Sequence, residues 1–331
     1  MTLLSVPKGD DMTNLLDAGK QLWLDAVAAS LSIFKVMIPI IILVKTLQEF
    51  ELIAYLAYPL EPLMGFIGLP AEMGLVWATS LLNTTYASLI VFISLAPDLQ
   101  LTTAQATVTA VLILMAHALP LEGAIARRSG VRFAFQCLVR FSCAYALGWL
   151  LNRFYTLTDT LQEPAVILFQ APNAADPSLT AWAMDQGLNL LSIFGVILGL
   201  LLMMRLLKAL GVIDLMNAAL RPLLKLIGIG PKASAITVIG LTMGLSYGGG
   251  LIINEANARN VEREDVFHSL TLMGLCHSLI EDTLLLMLIG AHLSGILWGR
   301  LAFVLLFMAV LVQIVRRLSP SFQTKYLWVP R

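Results

Sequence analysis

Apolar residues fill this chain in long runs, and the runs form two series of the same plan. A long apolar run opens each series, at 23–47 and 188–207. A shorter, proline-punctuated run follows, at 52–67 and 212–227. The third run carries polar residues at its middle, at 73–95 and 233–253. The fourth carries histidine and acid, at 103–125 and 266–289. A last apolar run closes each series, at 133–151 and 296–315. Spanning a bilayer as a helix takes about 20 apolar residues, so the long runs are predicted to be transmembrane helices. The proline runs, at roughly 16 residues, reach about 24 Å as helices and are marginal spans.

The two series match residue by residue. Leu31–Phe34 and Leu191–Phe194 both read Leu-Ser-Ile-Phe, at an offset of 160. The same offset pairs Pro62 with Pro222, Gly68 with Gly228, His117 with His277 and Glu122 with Asp282; an offset of 161 pairs Pro70 with Pro231 and Tyr86 with Tyr247. The expected fold is an all-α polytopic membrane protein of two homologous repeats, each with about five transmembrane or re-entrant helices. Its parts are a polar N-terminal segment (1–21), a first repeat (22–155), an extramembrane linker (156–181), a second repeat (182–316) and a basic tail (317–331). Five crossings per half, with the N-terminus in the cytoplasm, put Arg127, Arg128, Arg205, Arg259 and Arg316 on the inner side and the acidic linker outside. An odd number of crossings inverts the second repeat relative to the first, as in many secondary transporters. Lys232 and Arg300 do not fit this arrangement. A short surface helix is expected at 164–169.

Composition supports the membrane assignment: 58% of residues are hydrophobic and 13% are charged, against about 25% charged in soluble domains. Zero net charge gives no reason to expect a nucleic-acid partner. Cys137, Cys143 and Cys276 lie in apolar runs without zinc or disulfide spacing and read as core residues. No cleavage site follows the first apolar run, so no cleaved signal peptide is expected.

Several polar groups sit where lipid-facing helices have no use for them. Asn83, Thr84, Thr85 and Tyr86 lie mid-run in the first series. Ser246, Tyr247, Gly248 and Gly249 lie mid-run in the second, with Asn254 and Glu255 close behind. Unwound backbone at membrane depth survives only where protein or water satisfies it, so both stretches are read as helix breaks lining a substrate site. Asn254 and Glu255 could equally end a helix at the headgroups. A second cluster holds His277, Glu281 and Asp282 within one hydrophobic span, with His277 and Glu281 on one helical face. Each ionised acid at a span's centre costs about 2.5–3.5 kcal/mol, while each Leu returns about half a kcal/mol. These acids therefore need a cavity, a cation, a proton or a basic partner. His117 and Glu122 flank Pro120 and are expected to approach the same centre. The five ionisable residues are read as ion- or proton-coupling groups; a divalent metal there stays open, since no spacing is diagnostic. Asp265 is read as a helix cap, and His268 and His292 as interfacial.

The segments Ser246–Glu255 and Cys276–Thr283 resemble the gate (nucleoside-recognition) domain family. That family includes spore maturation proteins A and B and the pore halves of B-type ferrous iron transporters, and is considered related to concentrative nucleoside transporters. The resemblance covers both halves and implies a transport-like pore. The chain lacks the GTPase domain and the Cys-Asn-x-Pro motif of the iron transporters, so the resemblance does not imply iron as substrate.

These readings lead to a multi-pass transporter or channel of the inner membrane for a small polar solute or ion. It is expected to need no cofactor and to catalyse no reaction. Its partners are the bilayer and the solute; homo-oligomerisation is left open. The alternatives are a membrane enzyme acting on a lipid-linked substrate and a non-transporting subunit of a membrane assembly.

Overall fold

The apolar runs fold as helices. The computed structural model describes residues 9–168, 178–257 and 260–329, with the side chains of 9–16, 98, 217, 231, 243 and 245–249 outside that description. In the first half, α1 (Gly9–Glu49) leads through α2 (Leu52–Ala57) and α3 (Glu61–Phe66) to α4 (Met73–Leu82) and α5 (Thr85–Leu95). Then come α6 (Thr103–Met115), α7 (Leu119–Arg128) and α8 (Phe133–Thr158). The second half holds α9 (Leu179–Ala209), α10 (Val212–Ile227), α11 (Pro231–Met243), α12 (Leu245–Asn257), α13 (Arg263–Cys276) and α14 (Glu281–Met287). A π-helical turn (Ser294–Gly299) then runs into α15 (Arg300–Arg317), and α16 (Pro320–Tyr326) follows. Residues 9–21, expected to be a separate polar segment, continue α1.

Six of the described stretches are long and apolar enough to cross a bilayer: α1, α6 with α7, α8, α9, α13 with α14, and the π turn with α15. Three of them fall in each half, against the five crossings per half expected. The third run of each half is split into two short helices packed on each other as a hairpin. At one end of the first hairpin, Leu60 packs against Gly74 of α4. At the other, the Gln48 amide donates to the Ser94 carbonyl of α5 (3.1 Å). Gln48 lies in the last turn of α1 and Leu60 just beyond α2, so both hairpin ends lie on the face of the bundle where α1 ends. The second hairpin is anchored on the opposite face, where Gly230 N–H donates to Asp265 Oδ1 (3.0 Å) and α12 leads back to the start of α13. Asp265 thus ties down the hairpin base; it is not the cap of α13, whose N-cap is Glu262.

α1 and α9 run antiparallel. Arg205 Nη2 lies 2.6 Å from Asp25 Oδ2, and the Lys45 ammonium lies 6.0 Å over the Trp182 ring. The end of α9 therefore lies beside the start of α1. Arg127, Arg128, Arg205, Lys208, Arg316 and Arg317 gather on the face where α1 begins. Lys232, at the base of the second hairpin, joins them, and Arg300 is fully buried; neither is misplaced. Arg259 lies outside the described residues.

Core and periphery divide clearly. The apolar windows of α6–α7 and α13–α14 are 72% and 78% buried, whereas those of α1 and α9 are 22% and 17% buried. The inner helices meet across the halves. The Gln136 amide donates to Thr271 Oγ1 (3.1 Å), and Tyr155 hydrogen-bonds Ser294 Oγ (2.8 Å). Gly295 lets the π turn close on α6: a Cβ there would stand 2.4 Å from Thr107 Cγ2.

The segment after α8 folds over one face, with Thr103 N–H donating to Glu163 O (2.9 Å) and Leu168 N–H to Leu288 O (2.8 Å). It is extended at 164–168, where the proline pairs with Thr102, so the helix expected at 164–169 does not form; residue 169 lies outside the described residues. The tail docks instead of trailing: Arg132 N–H donates to Leu327 O (2.8 Å), and Trp328 is buried.

Candidate functional site

Two helix breaks create the site. α6 opens with a Thr102–Gln105 capping box and stops at Met115, before Ala118 turns into the left-handed region (φ 47°). Pro120 then starts α7; without an N–H it suits a helix's first turn and not an interior. α13 stops at Cys276, and Ser278 adopts the same left-handed conformation (φ 48°). His277 and Glu281 are therefore not neighbours on one continuous helix, as their spacing had suggested: one sits at the break, the other begins α14.

The hairpin tips satisfy the freed backbone. Ala118 N–H donates to the carbonyls of Ser80 and Asn83 (both 2.8 Å), and Leu279 N–H donates to Leu241 O (2.9 Å). The tips themselves are built differently. Asn83 Oδ1 accepts from Thr84 N–H (2.8 Å), and Thr84 Oγ1 caps α5. The second tip turns at Gly244, whose φ of 93° and ψ of 160° belong to a region essentially reserved for glycine. The helix α12 continues unbroken through Gly248, Gly249 and Gly250. The break expected across these glycines is thus confined to Gly244. The Ser246 and Tyr247 side chains lie outside the described residues.

Two arginines hold the breaks. Arg140 Nε donates to Met115 O (3.0 Å), and Arg300 Nη2 donates to His277 O (2.5 Å). A cation at a helix C-terminus answers both the orphan carbonyls and the helix dipole. Neither arginine was named as a site residue from the sequence, although their positions differ by the offset that separates the two histidines.

The histidines meet at the centre. His117 Nδ1 lies 2.9 Å from Ile113 O, and His277 Nδ1 lies 2.8 Å from Met273 O. Their Nε2 atoms stand 3.0 Å apart. Glu122 Oε1 is 3.3 Å from each Nε2, and its other oxygen pairs with Arg140 Nη1. A cavity of about 320 Å³ opens beside this cluster, lined by Thr84, Thr85, Tyr86, His117, Glu122, Gly244, His277, Ser278, Glu281 and Asp282. The Tyr86 hydroxyl donates to the Glu281 carboxylate. The structure therefore brings together Thr84, Thr85 and Tyr86 and all five ionisable residues named from the sequence, while Asn83 shapes the tip without lining the cavity.

Asn254 and Glu255 do not join them. They lie about 15 Å along α12 from the hairpin tip, where Glu255 Oε2 accepts from the exposed Asn260 amide (2.8 Å). His268 is buried against Phe267, not interfacial as expected, whereas His292 lies in an exposed turn. A larger recess of about 560 Å³, lined by Met203, Leu220, Leu284 and Trp298 among others, is nearly all apolar and offers nothing to a polar solute.

The chain is a multi-pass membrane protein. Over 311 residues it is 25% identical to the uncharacterized membrane protein YvoD of Bacillus subtilis (strain 168), a match covering 91% of this chain and 97% of that one. No family model and no solved structure matches the chain.

Proposed function

We propose that this protein is a transporter for a small polar solute or ion, built from two inverted repeats of the gate-domain type. One observation carries the reading: a hairpin tip and a helix break from each half converge on one polar cavity inside the apolar bundle. Broken helices in corresponding parts of two inverted halves are the arrangement by which secondary transporters expose a central site to either side in turn. Intramembrane carboxylates are retained against their insertion cost where they serve such a path. Glu281 and Asp282 supply carboxyl groups to the cavity, Thr84, Thr85 and Tyr86 supply hydroxyls, and His117, His277 and Glu122 complete its lining. The basic face, where α1 begins, is the cytoplasmic face of the inner membrane by the positive-inside rule.

The test is flux in proteoliposomes across a panel of nucleosides, amino acids, organic cations and divalent metals. The wild type is expected to move at least one of them, and Glu281→Gln and Asp282→Asn to lower its rate or change its pH dependence. Flux that both variants leave untouched would remove the cavity from the mechanism.

A further inference from the structure

The two facing imidazoles pose a problem of hydrogen bookkeeping. Each Nδ1 lies within hydrogen-bond distance of a backbone carbonyl. A carbonyl can only accept, so each Nδ1 must carry the ring hydrogen. In the neutral rings both Nε2 atoms then present lone pairs, aimed at each other across 3.0 Å. Glu122 Oε1, another acceptor, lies 3.3 Å from both. Three acceptors thus form a small triangle with no hydrogen to share among them. A cation at its centre, a proton on one ring or a metal ion between the two, resolves the conflict.

The triangle has the dimensions of a metal site. Nitrogen and oxygen ligands about 2.0–2.2 Å from a tetrahedral ion stand roughly 3.3–3.6 Å apart, so the three atoms need shift by only tenths of an ångström. The surroundings match as well. A ligating histidine donates its other N–H to a carbonyl or carboxylate, which fixes the ring and its tautomer, and both rings do so here. Glu122 is held from behind by Arg140, which leaves Oε1 free. Ligand atoms of His117, His277 and Asp282 all lie within 4.8 Å of one another, which brings Asp282 within reach of the fourth corner. The adjoining cavity provides the entry path.

We propose that a divalent first-row transition-metal cation, of the zinc or cobalt(II) kind, binds between His117 Nε2 and His277 Nε2, with Glu122 and Asp282 completing the shell. Two imidazoles with two carboxylates suit such an ion; calcium and magnesium prefer oxygen-only shells. One imidazole comes from each half, so the ion ties the halves together. The proposal concerns binding and is independent of transport: it is read in detergent, where flux plays no part.

The experiment titrates the purified full-length chain, stripped with a chelator, with Co²⁺ and then Zn²⁺. The wild type should take up a single Co²⁺ per chain with the intense visible bands of a tetrahedral site, and Zn²⁺ should displace it. His277→Ala and Glu122→Gln should lose stoichiometric binding. Arg140→Lys, which alters the support behind Glu122 and the tie to Met115 O but keeps both histidines, should weaken affinity by about 10–100-fold. His292→Ala, in the exposed turn, should bind as the wild type does. X-ray absorption of the zinc-loaded wild type should show two imidazole ligands, a reading that does not depend on any variant folding. The proposal is overturned if stoichiometric binding is absent, if His277→Ala binds equally well, or if the shell contains no imidazole.

Discussion

Arg140 and Arg300 occupy corresponding places in the two halves and do different work. Each is fully buried and each holds the carbonyl end of a broken helix. Arg140 also pairs with Glu122. Arg300 has no carboxylate partner among the described residues and lies beside Cys276 instead. Asp282, the counterpart of Glu122, makes no ion pair among them and lines the cavity. A carboxylate tied to a buried arginine has one oxygen committed to the scaffold and only the other left to turn toward the histidines. A carboxylate released from its arginine can meet a ligand. The first half thus anchors the central cluster, and the second supplies its free acids, although both use the same backbone plan.

The largest test of this contrast is Arg140→Met. It strands Glu122 as an unpaired buried charge and should cost about 3–5 kcal/mol of stability, read by denaturant unfolding in detergent micelles. Arg300→Met removes a bond to a carbonyl and strands no carboxylate. It should cost less, about 1.5–3 kcal/mol. Equal losses would mean that the two arginines are not differently committed.

The hairpin tips extend the comparison to smaller effects. Gly244→Ala forces a side chain into a glycine-only conformation, with its Cβ 3.0 Å from Ser278 Oγ; about 1–3 kcal/mol is expected, together with reduced access to the cavity. Thr84→Ala removes a helix cap and should cost about 1 kcal/mol. If Thr84→Ala proved the more damaging, the first tip and not the second would be the strained one.

Much of the fold was legible in the sequence. Ten apolar runs, their order and their breaks could be read because the bilayer demands long apolar stretches and tolerates polar ones only where they are buried. Asn83, Thr84, His117 and His277 stood out for that reason. Asn254 and Glu255 were as conspicuous and lie far from the cavity, because polarity marks a hairpin's base as strongly as its tip. Gly248, Gly249 and Gly250 read as a break but continue a helix: glycine permits unwinding without requiring it. Arg140 was passed over because a basic residue in a closing helix resembles an interfacial one until its carboxylate partner is known.

The chain's hydropathy by itself determined that this is a helical membrane protein, and its offset pairs indicated where polar groups would gather. Only the tertiary structure decided that the third run of each half splits into two helices packed as a hairpin. A run of that length can span once or fold in two, and the choice rests on contacts with distant segments, such as Gln48 with Ser94 and Gly230 with Asp265. Only the tertiary structure, too, set His117 against His277. Spacing along a chain fixes which face of a helix a residue takes, but the meeting of two rings at 3.0 Å depends on two broken helices being held in register by hairpins from opposite faces.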